Sequence, residues 1–261
     1  MLAAPTYDIA VIADQGRRET QEDAIATRTF DTAEAAYVVV ADGMGGHEAG
    51  EVASDLVTKA WRSVLDVQLE DSDVIEGNLM DALPIAAMQA NADVSGYTEN
   101  SEGALKMGST MLGTLLLKNR LFWISIGDSP LYLFRDGYLV QINEDHSMAP
   151  MIDAQVQQGL LSAEEAKVHP DRNQLTSVIM GAPIPKVDCP SVPLELTPSD
   201  VLIAASDGLQ YLEDAQILEV LNACAGLSAQ EISDSLLTAV HSKEDPDQDN
   251  ISIAVVKLLS V

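Results

Sequence analysis

The sequence is short of aromatic residues, of cysteine and of positive charge, and it has no long apolar run. Each shortage excludes something. Phe, Trp and Tyr make up 4% of 261 residues, so a core must be built from Ala, Val, Ile, Leu and Met. The two cysteines, Cys189 and Cys224, make no disulfide framework and have no close metal-ligand spacing. Cysteine phosphatases place an arginine six residues beyond the nucleophile; here those positions are Glu195 and Gln230. Lys and Arg number 14 against 41 Asp and Glu, a formal net charge of −27. So acidic a chain repels phosphate backbones and anionic lipid, so neither nucleic acid nor membrane is expected as a partner. No apolar stretch approaches the ~18 residues of a membrane span. Residues 1–11 carry Pro5 and Asp8 and no basic segment, so they do not read as a signal peptide, and the expected compartment is the cytoplasm. The Walker P-loop, the GxSxG elbow and a full GxGxxG fingerprint are all missing.

What is present is 47% apolar residues, enough for a substantial core. There is no internal repeat and no low-complexity linker, so a single domain over 1–261 is expected. The proline-dense stretch from Pro183 to Pro198 reads as edge strands and turns. Short β-branched runs predict strands at 7–13, 24–30, 36–41, 109–117, 121–126, 131–135, 138–142, 201–205 and 251–258. Asn119-Arg120 and Asp136-Gly137 are placed as hairpin turns. Helices are predicted at 48–66, 72–97, 148–158, 162–167, 214–224 and 228–241, with Ser162–Glu165 and Ser228–Glu231 as capping boxes. Hairpin-linked strands with helices grouped between them indicate an α+β layered sandwich.

Acids fall repeatedly at the ends of these runs. Asp42-Gly43, Asp207-Gly208 and Gly127-Asp128 follow strands, while Glu22-Asp23 and Asp249-Asn250 precede them. Any one Asp-Gly alone is an ordinary turn dipeptide. Antiparallel neighbours, however, place the end of one strand beside the start of the next. Glu22, Asp23, Asp42, Asp128, Asp207 and Asp249 can therefore converge at one sheet edge. Such a cluster repels itself unless cations neutralise it, and oxygen ligands without nearby Cys or His suit Mg²⁺ or Mn²⁺ better than Zn²⁺. An EF-hand beginning at Asp245 is excluded, because its twelfth position is Val256.

These segments, in order, resemble the metal-dependent protein phosphatases of type 2C in their bacterial single-domain form. The series runs QGRRETQED, VVVADGMGGHEAGEVAS, MGSTMLGTLL, IGDSPLYLFRDG, EDHSMAP, HPDRNQLTSVIMG, ASDGL and DQDNISIAVV, nearly the whole chain. The resemblance implies a four-layer αββα sandwich of two antiparallel sheets flanked by helices. It implies two Mn²⁺ or Mg²⁺ ions, with a third in many members. By motif position, Asp42 bridges the pair, Asp207 and Asp249 complete one ion, and the Gly43 carbonyl and Glu22 serve the other. Asp23 hydrogen-bonds metal-bound water, and Asp128 joins Asp207 at the third ion.

The implied reaction is attack on a phosphoserine or phosphothreonine by metal-activated water, without a phosphoenzyme. Arg18, one of seven arginines, is expected to grip the phosphate with its planar fork. The implied partners are phosphorylated protein substrates of a Ser/Thr kinase, met by a monomer. Two positions depart from the family. Met44 stands where eukaryotic members have a histidine proposed as general acid, with His47 nearby but out of position. Pro130 stands where GDSR members have arginine. The general acid is left unassigned, with a metal-bound water able to serve. Residues 145–172 correspond to a flap beside the site, expected to influence substrate choice and third-metal binding. A catalytically silent phosphoprotein sensor on the same fold and a small-molecule phosphohydrolase are the competing readings.

Overall fold

In the computed structural model, which describes residues 6–31, 33–46, 49–70, 76–101 and 105–260, six strands lie in the first half: β1 (Thr6–Asp14), β2 (Asp23–Phe30), β3 (Ala35–Gly45), β4 (Met107–Ser109), β5 (Met111–Leu117) and β6 (Arg120–Ile126). Between β3 and β4 come α1 (Ala49–Glu70) and α2 (Glu76–Asn100). Then follow β7 (Leu131–Arg135), β8 (Tyr138–Gln141), α3 (Ala149–Gln157), α4 (Ala163–Lys167), β9 (Leu194–Glu195) and β10 (Val201–Ala205). A 3-10 turn (Asp207–Tyr211), α5 (Asp214–Ala223), α6 (Ala229–His241) and β11 (Ile251–Ser260) complete the order.

Period-two alternation sorts these strands into layers. Along β3, Tyr37, Val39 and Ala41 face a core shared with α1 and α2, while Ala36, Val38 and Val40 face a second core. Along β11, Ile251, Ile253 and Val255 face α5 and α6, while Ala254, Val256 and Leu258 join that same second core. Both strands are apolar on both faces because each is covered twice. One antiparallel sheet runs β1-β11-β10-β7-β8 and the other β2-β3-β5-β6-β9, with β4 also paired to β3. The result is helices, sheet, sheet, helices, the expected four-layer α+β sandwich. Gly113 marks how tightly the outer layer packs: a Cβ there would lie 2.2 Å from the Trp61 ring.

Several boundaries differ from expectation for local reasons. The predicted strand 109–117 is broken at Thr110, whose N–H donates to the Asp42 carbonyl and whose hydroxyl accepts from the Asp42 N–H. The β5–β6 turn is Lys118-Asn119, one residue earlier than expected, because Lys118 takes the left-handed conformation (φ 56°) and Arg120 already pairs with Leu117. Asp136-Gly137 is a two-residue turn with both φ positive, as read. The proline-rich stretch yields only β9 and a bridge from Ser125 to Asp188. The helix expected at 72–97 is seen over Glu76–Asn100, and its first expected residues, like Glu48 before α1 and His47, lie outside the described residues. Among the described residues, no helix is long and apolar enough to cross a membrane.

Candidate active site and metal centre

The second core does not stay apolar to its end. One register step beyond Val40 on the same face of β3 comes Asp42, and its cross-strand partner on β2 is Asp23. In the other sheet β10 and β11 run antiparallel, so Asp207, just after β10, comes beside Asp249, just before β11. Asp128 follows β6 through Gly127, whose φ of 111° demands glycine. The acids therefore gather where both sheets end.

At the cleft, close backbone approach accounts for the glycine of both Asp-Gly pairs. Gly43 lies within β3, and a Cβ there would meet the Gly50 carbonyl oxygen at 2.0 Å and that of Glu22 at 2.6 Å. Gly208 is the second residue of the 3-10 turn, where a Cβ would lie 2.1 Å from the Asn250 carbonyl oxygen. Glycine is required at both because another backbone passes in contact. A Cβ at Gly50 would likewise press on the Glu22 carboxyl, at 2.6 Å. That seats the Glu22 carboxyl against the first turn of α1.

A cleft of about 570 Å³ is lined by Arg18, Glu22, Asp42, Gly43, Asp128, Asp207 and Asp249. An adjoining cleft of about 540 Å³ shares Arg18, Asp128, Asp207 and Asp249 and extends to Asp145, Ser147 and Arg172. Seven of the eight residues expected at the site thus line one cavity. Asp23 does not; it lies behind Asp42, buried, with its carboxylate accepting from the Ser206 hydroxyl at 2.6 Å.

The electrostatics are unusual for a cluster with so little positive charge. Burial pushes Asp42 well above the ordinary carboxylate range, and Asp207, Asp23, Asp128 and Asp249 push it further. Burial and then Asp249 raise Asp207 to about 6, although a hydrogen bond with Asp42 pulls it back. Asp128 rises to about 7 through burial and then Asp207 and Asp145. Asp23 also rises to about 7, mainly by burial, against the pull of the Ser206 hydroxyl. Glu22 is raised by burial, with Arg18 opposing. The one cation in contact is Arg18, whose guanidinium donates to Asp249 at 2.5 Å.

Among the described residues, no three acidic, His or Cys side chains close round one point as a finished ion shell. The acids stand around a cavity instead. Their donor set is all oxygen and Arg18 offsets only part of their charge, which fits hard divalent cations such as Mg²⁺ or Mn²⁺.

Four supporting residues escaped the sequence reading. Asn250 ties the first-motif loop to the end of β11: its amide donates to the carbonyls of Gln15 (2.9 Å) and Thr20 (3.0 Å) and its oxygen accepts from the Glu22 N–H (2.7 Å). It stands in the DQDN segment, but periodicity speaks of burial and not of such bonds. His146 is buried; its Nδ1 accepts from the Gly127 N–H at 3.3 Å, and its own N–H donates to the Gly127 carbonyl at 3.0 Å. Asp145 and Asn173 enter the cavity walls from either end of the segment read as a flap. That segment forms α3 and α4, and Arg172 returns a two-pronged ion pair to Asp153 on α3 at 2.7 and 3.0 Å.

Residues 15–252 match the family model described as protein phosphatase 2C. The serine/threonine protein phosphatase PstP of Mycobacterium tuberculosis (strain CDC 1551 / Oshkosh) is 35% identical over 188 residues, 72% of this chain. That match takes in only 34% of PstP's own length. The serine/threonine phosphatase stp of Listeria innocua is 31% identical over 225 residues, 84% of this chain and 83% of stp. The solved catalytic domain of PstP, in complex with two manganese ions, superposes with a TM-score of 0.77 at 30% identity, covering 97% of this chain and 99% of that one.

Proposed function

The chain belongs to the protein phosphatase 2C family, and from that premise we propose that it is a metal-dependent serine/threonine protein phosphatase working at the acid cleft. One observation carries the reading. Carboxylates from positions 22 to 249 are brought to the ends of two sheets, partly shielded from water, and left without enough cations of their own. A fold spends stability to hold such a cluster only if something else neutralises it.

Asp42, the Gly43 carbonyl, Glu22, Asp207 and Asp249 would hold two Mn²⁺ or Mg²⁺ ions, and Asp128 with Asp207 would take a third, weaker one. When bound, the cations supply the positive charge that makes a water nucleophilic near neutral pH and offsets charge on the phosphate. Arg18 binds the phosphate oxygens. Its partner Asp249 holds it only loosely, since the Arg18 side chain is 55% exposed and such pairs are worth under about 1 kcal/mol. A phosphate dianion offering two acceptors competes easily for that fork. Asp23, behind Asp42 and bonded to Ser206, orients water at the cleft without touching the phosphate. The phosphoryl group passes to water without a covalent enzyme intermediate, in keeping with the family.

Residues 1–261 act as one catalytic domain, and residues 145–172 form a flap beside the cleft that influences which substrates enter and how the third ion is held. The substrates are phosphoproteins made by a Ser/Thr kinase, met in the cytoplasm by a monomer. The test is phosphate release from a phosphothreonine peptide with and without Mn²⁺. Manganese-dependent turnover that disappears in Asp207→Asn supports the reading. Turnover that survives chelation, or survives that substitution, removes the acid cleft from the reaction.

A further inference from the structure

A small apolar hollow adjoins the acid cleft and has no part in the chemistry above. Its lining among the described residues is Met44, Gly45, Met107, Gly108, Val178 and Met180, with Lys106 at one side. Its construction follows from strand register. Ser109 and Ile179 form an antiparallel bridge, the N–H of each donating to the carbonyl of the other at 2.8 and 3.0 Å. Ile179 turns into the core and is fully buried, so Val178 and Met180 share the opposite face. Across the β3–β4 pair, Met44 stands opposite Gly108. With no side chain at 108, the space between Met44, Val178 and Met180 stays open: a Cβ there would meet the Ile179 carbonyl oxygen at 2.9 Å and Val178 at 3.2 Å.

The hollow measures about 230 Å³. That is below the roughly 300–1,000 Å³ of sites that enclose a whole small molecule. It suits one side chain. Methionine walls adapt to different aliphatic shapes. Met44, Gly45 and Val178 line both the hollow and the acid cleft, so the two are separated by the thickness of one residue. A chain whose phosphoresidue lies in the cleft can therefore lay a neighbouring side chain in the hollow.

We propose that this hollow is a specificity subsite that takes an aliphatic side chain, such as Leu or Met, flanking the phosphorylated residue of the substrate. The proposal rests on the phosphatase reading and names the substrate class that reading leaves open. Met44, where eukaryotic relatives carry histidine, then serves as a wall of the peptide site.

The test uses the full chain with Mn²⁺ and phosphothreonine peptides in an alanine background. Leucine is placed at each of the two positions on either side of the phosphoresidue, and p-nitrophenyl phosphate is the reference without a peptide. At one of those positions leucine should raise kcat/KM about tenfold over alanine, in line with filling an apolar pocket. Met180→Asp and Met180→Ser change an exposed wall residue that does not line the acid cleft. Each should bring the leucine-to-alanine ratio close to one while p-nitrophenyl phosphate turnover stays at the wild-type rate. Equal rates for leucine and alanine peptides at all four positions, with normal turnover of both, would overturn the subsite and leave the phosphatase reading standing. So would a leucine preference unchanged in both variants. Absence of turnover on every phosphomonoester would instead sink the phosphatase reading, and the subsite with it.

Discussion

The two ends of β10 treat an aspartate in opposite ways. At its start Asp200 is buried and satisfied: Arg135 donates to it from two nitrogens at 2.7 and 2.6 Å, and the Thr197 N–H adds a third bond at 2.6 Å. Although burial works against it, those bonds hold the Asp200 carboxyl below its ordinary range. Past the other end Asp207 is partly open to the cleft and faces Asp249 and Asp42, and its carboxyl is pushed up to about 6. The first arrangement is complete as it stands. The second is complete only with a cation from outside. Seven residues apart in the chain, one aspartate builds the fold and the other builds a site.

Substitution should separate them most sharply. Asp207→Asn is expected to lower phosphatase turnover by on the order of 10³-fold, the several kcal/mol that metal-assisted chemistry supplies. The same change should raise the melting temperature of the metal-free protein, because it removes a self-repelling charge. Asp200→Asn should do the reverse: near-normal kcat, with stability lowered by about 2–3 kcal/mol in urea unfolding, since Arg135 loses its partner. If both variants lost turnover and stability together, the contrast between the two ends would be wrong. A smaller effect is expected from Arg18→Ala, a rise in KM of about tenfold with little change in kcat. An unchanged KM would take Arg18 out of the phosphate site.

A further contrast is one of pH, and its sign differs between the two ends. Asp42, Asp207, Asp128 and Asp23 have folded-state pKa values above those of the unfolded chain. In that window the folded state binds more protons, so their contribution is full below about pH 4 and is lost as pH rises through about 6 to 7. Metal-free protein should therefore lose stability between pH 5 and 8, by about 1.4 kcal/mol per pH unit for each proton released. Saturating Mn²⁺ should flatten that slope, because it favours the ionised acids. Asp200, with its lowered pKa, contributes above its unfolded value and loses that contribution only as pH falls below about 4. Calorimetry across pH with and without Mn²⁺ reads both slopes, and a metal-free stability that climbs from pH 5 to 8 would contradict the raised carboxylates.

Most of the layering was legible in the sequence because it is carried by alternation, and alternation is local. Tyr37, Val39 and Ala41 against Ala36, Val38 and Val40 can be read from β3 alone. The acids were legible as a repeated pattern at strand ends. What failed to show were distances between backbones. Gly43 and Gly208 look like turn glycines, but they are small because Gly50 and Asn250 pass against them. The Lys118-Asn119 turn was placed one residue late because a lysine in the left-handed region carries no sequence signal of its own. Asn250 and His146 act through side-chain hydrogen bonds to remote backbone, and Arg18 through a bond to the remote Asp249 carboxylate. Such bonds join positions that only the folded topology brings together.

The strand order has a consequence for biosynthesis. β1 pairs only with β11, and β11 lies between β1 and β10. A ribosome adding about 5–20 residues per second needs roughly 12–50 s to pass from β1 to β11. Through that interval β1 has no sheet partner from its own chain, and Asp249 has not yet been made. The nascent chain can assemble the β2–β3–β5–β6 layer early, but the acid cleft lacks Asp249 until the segment before β11 is made. A stalled or truncated product leaves β1 as an open edge exposed to chaperones and to aggregation.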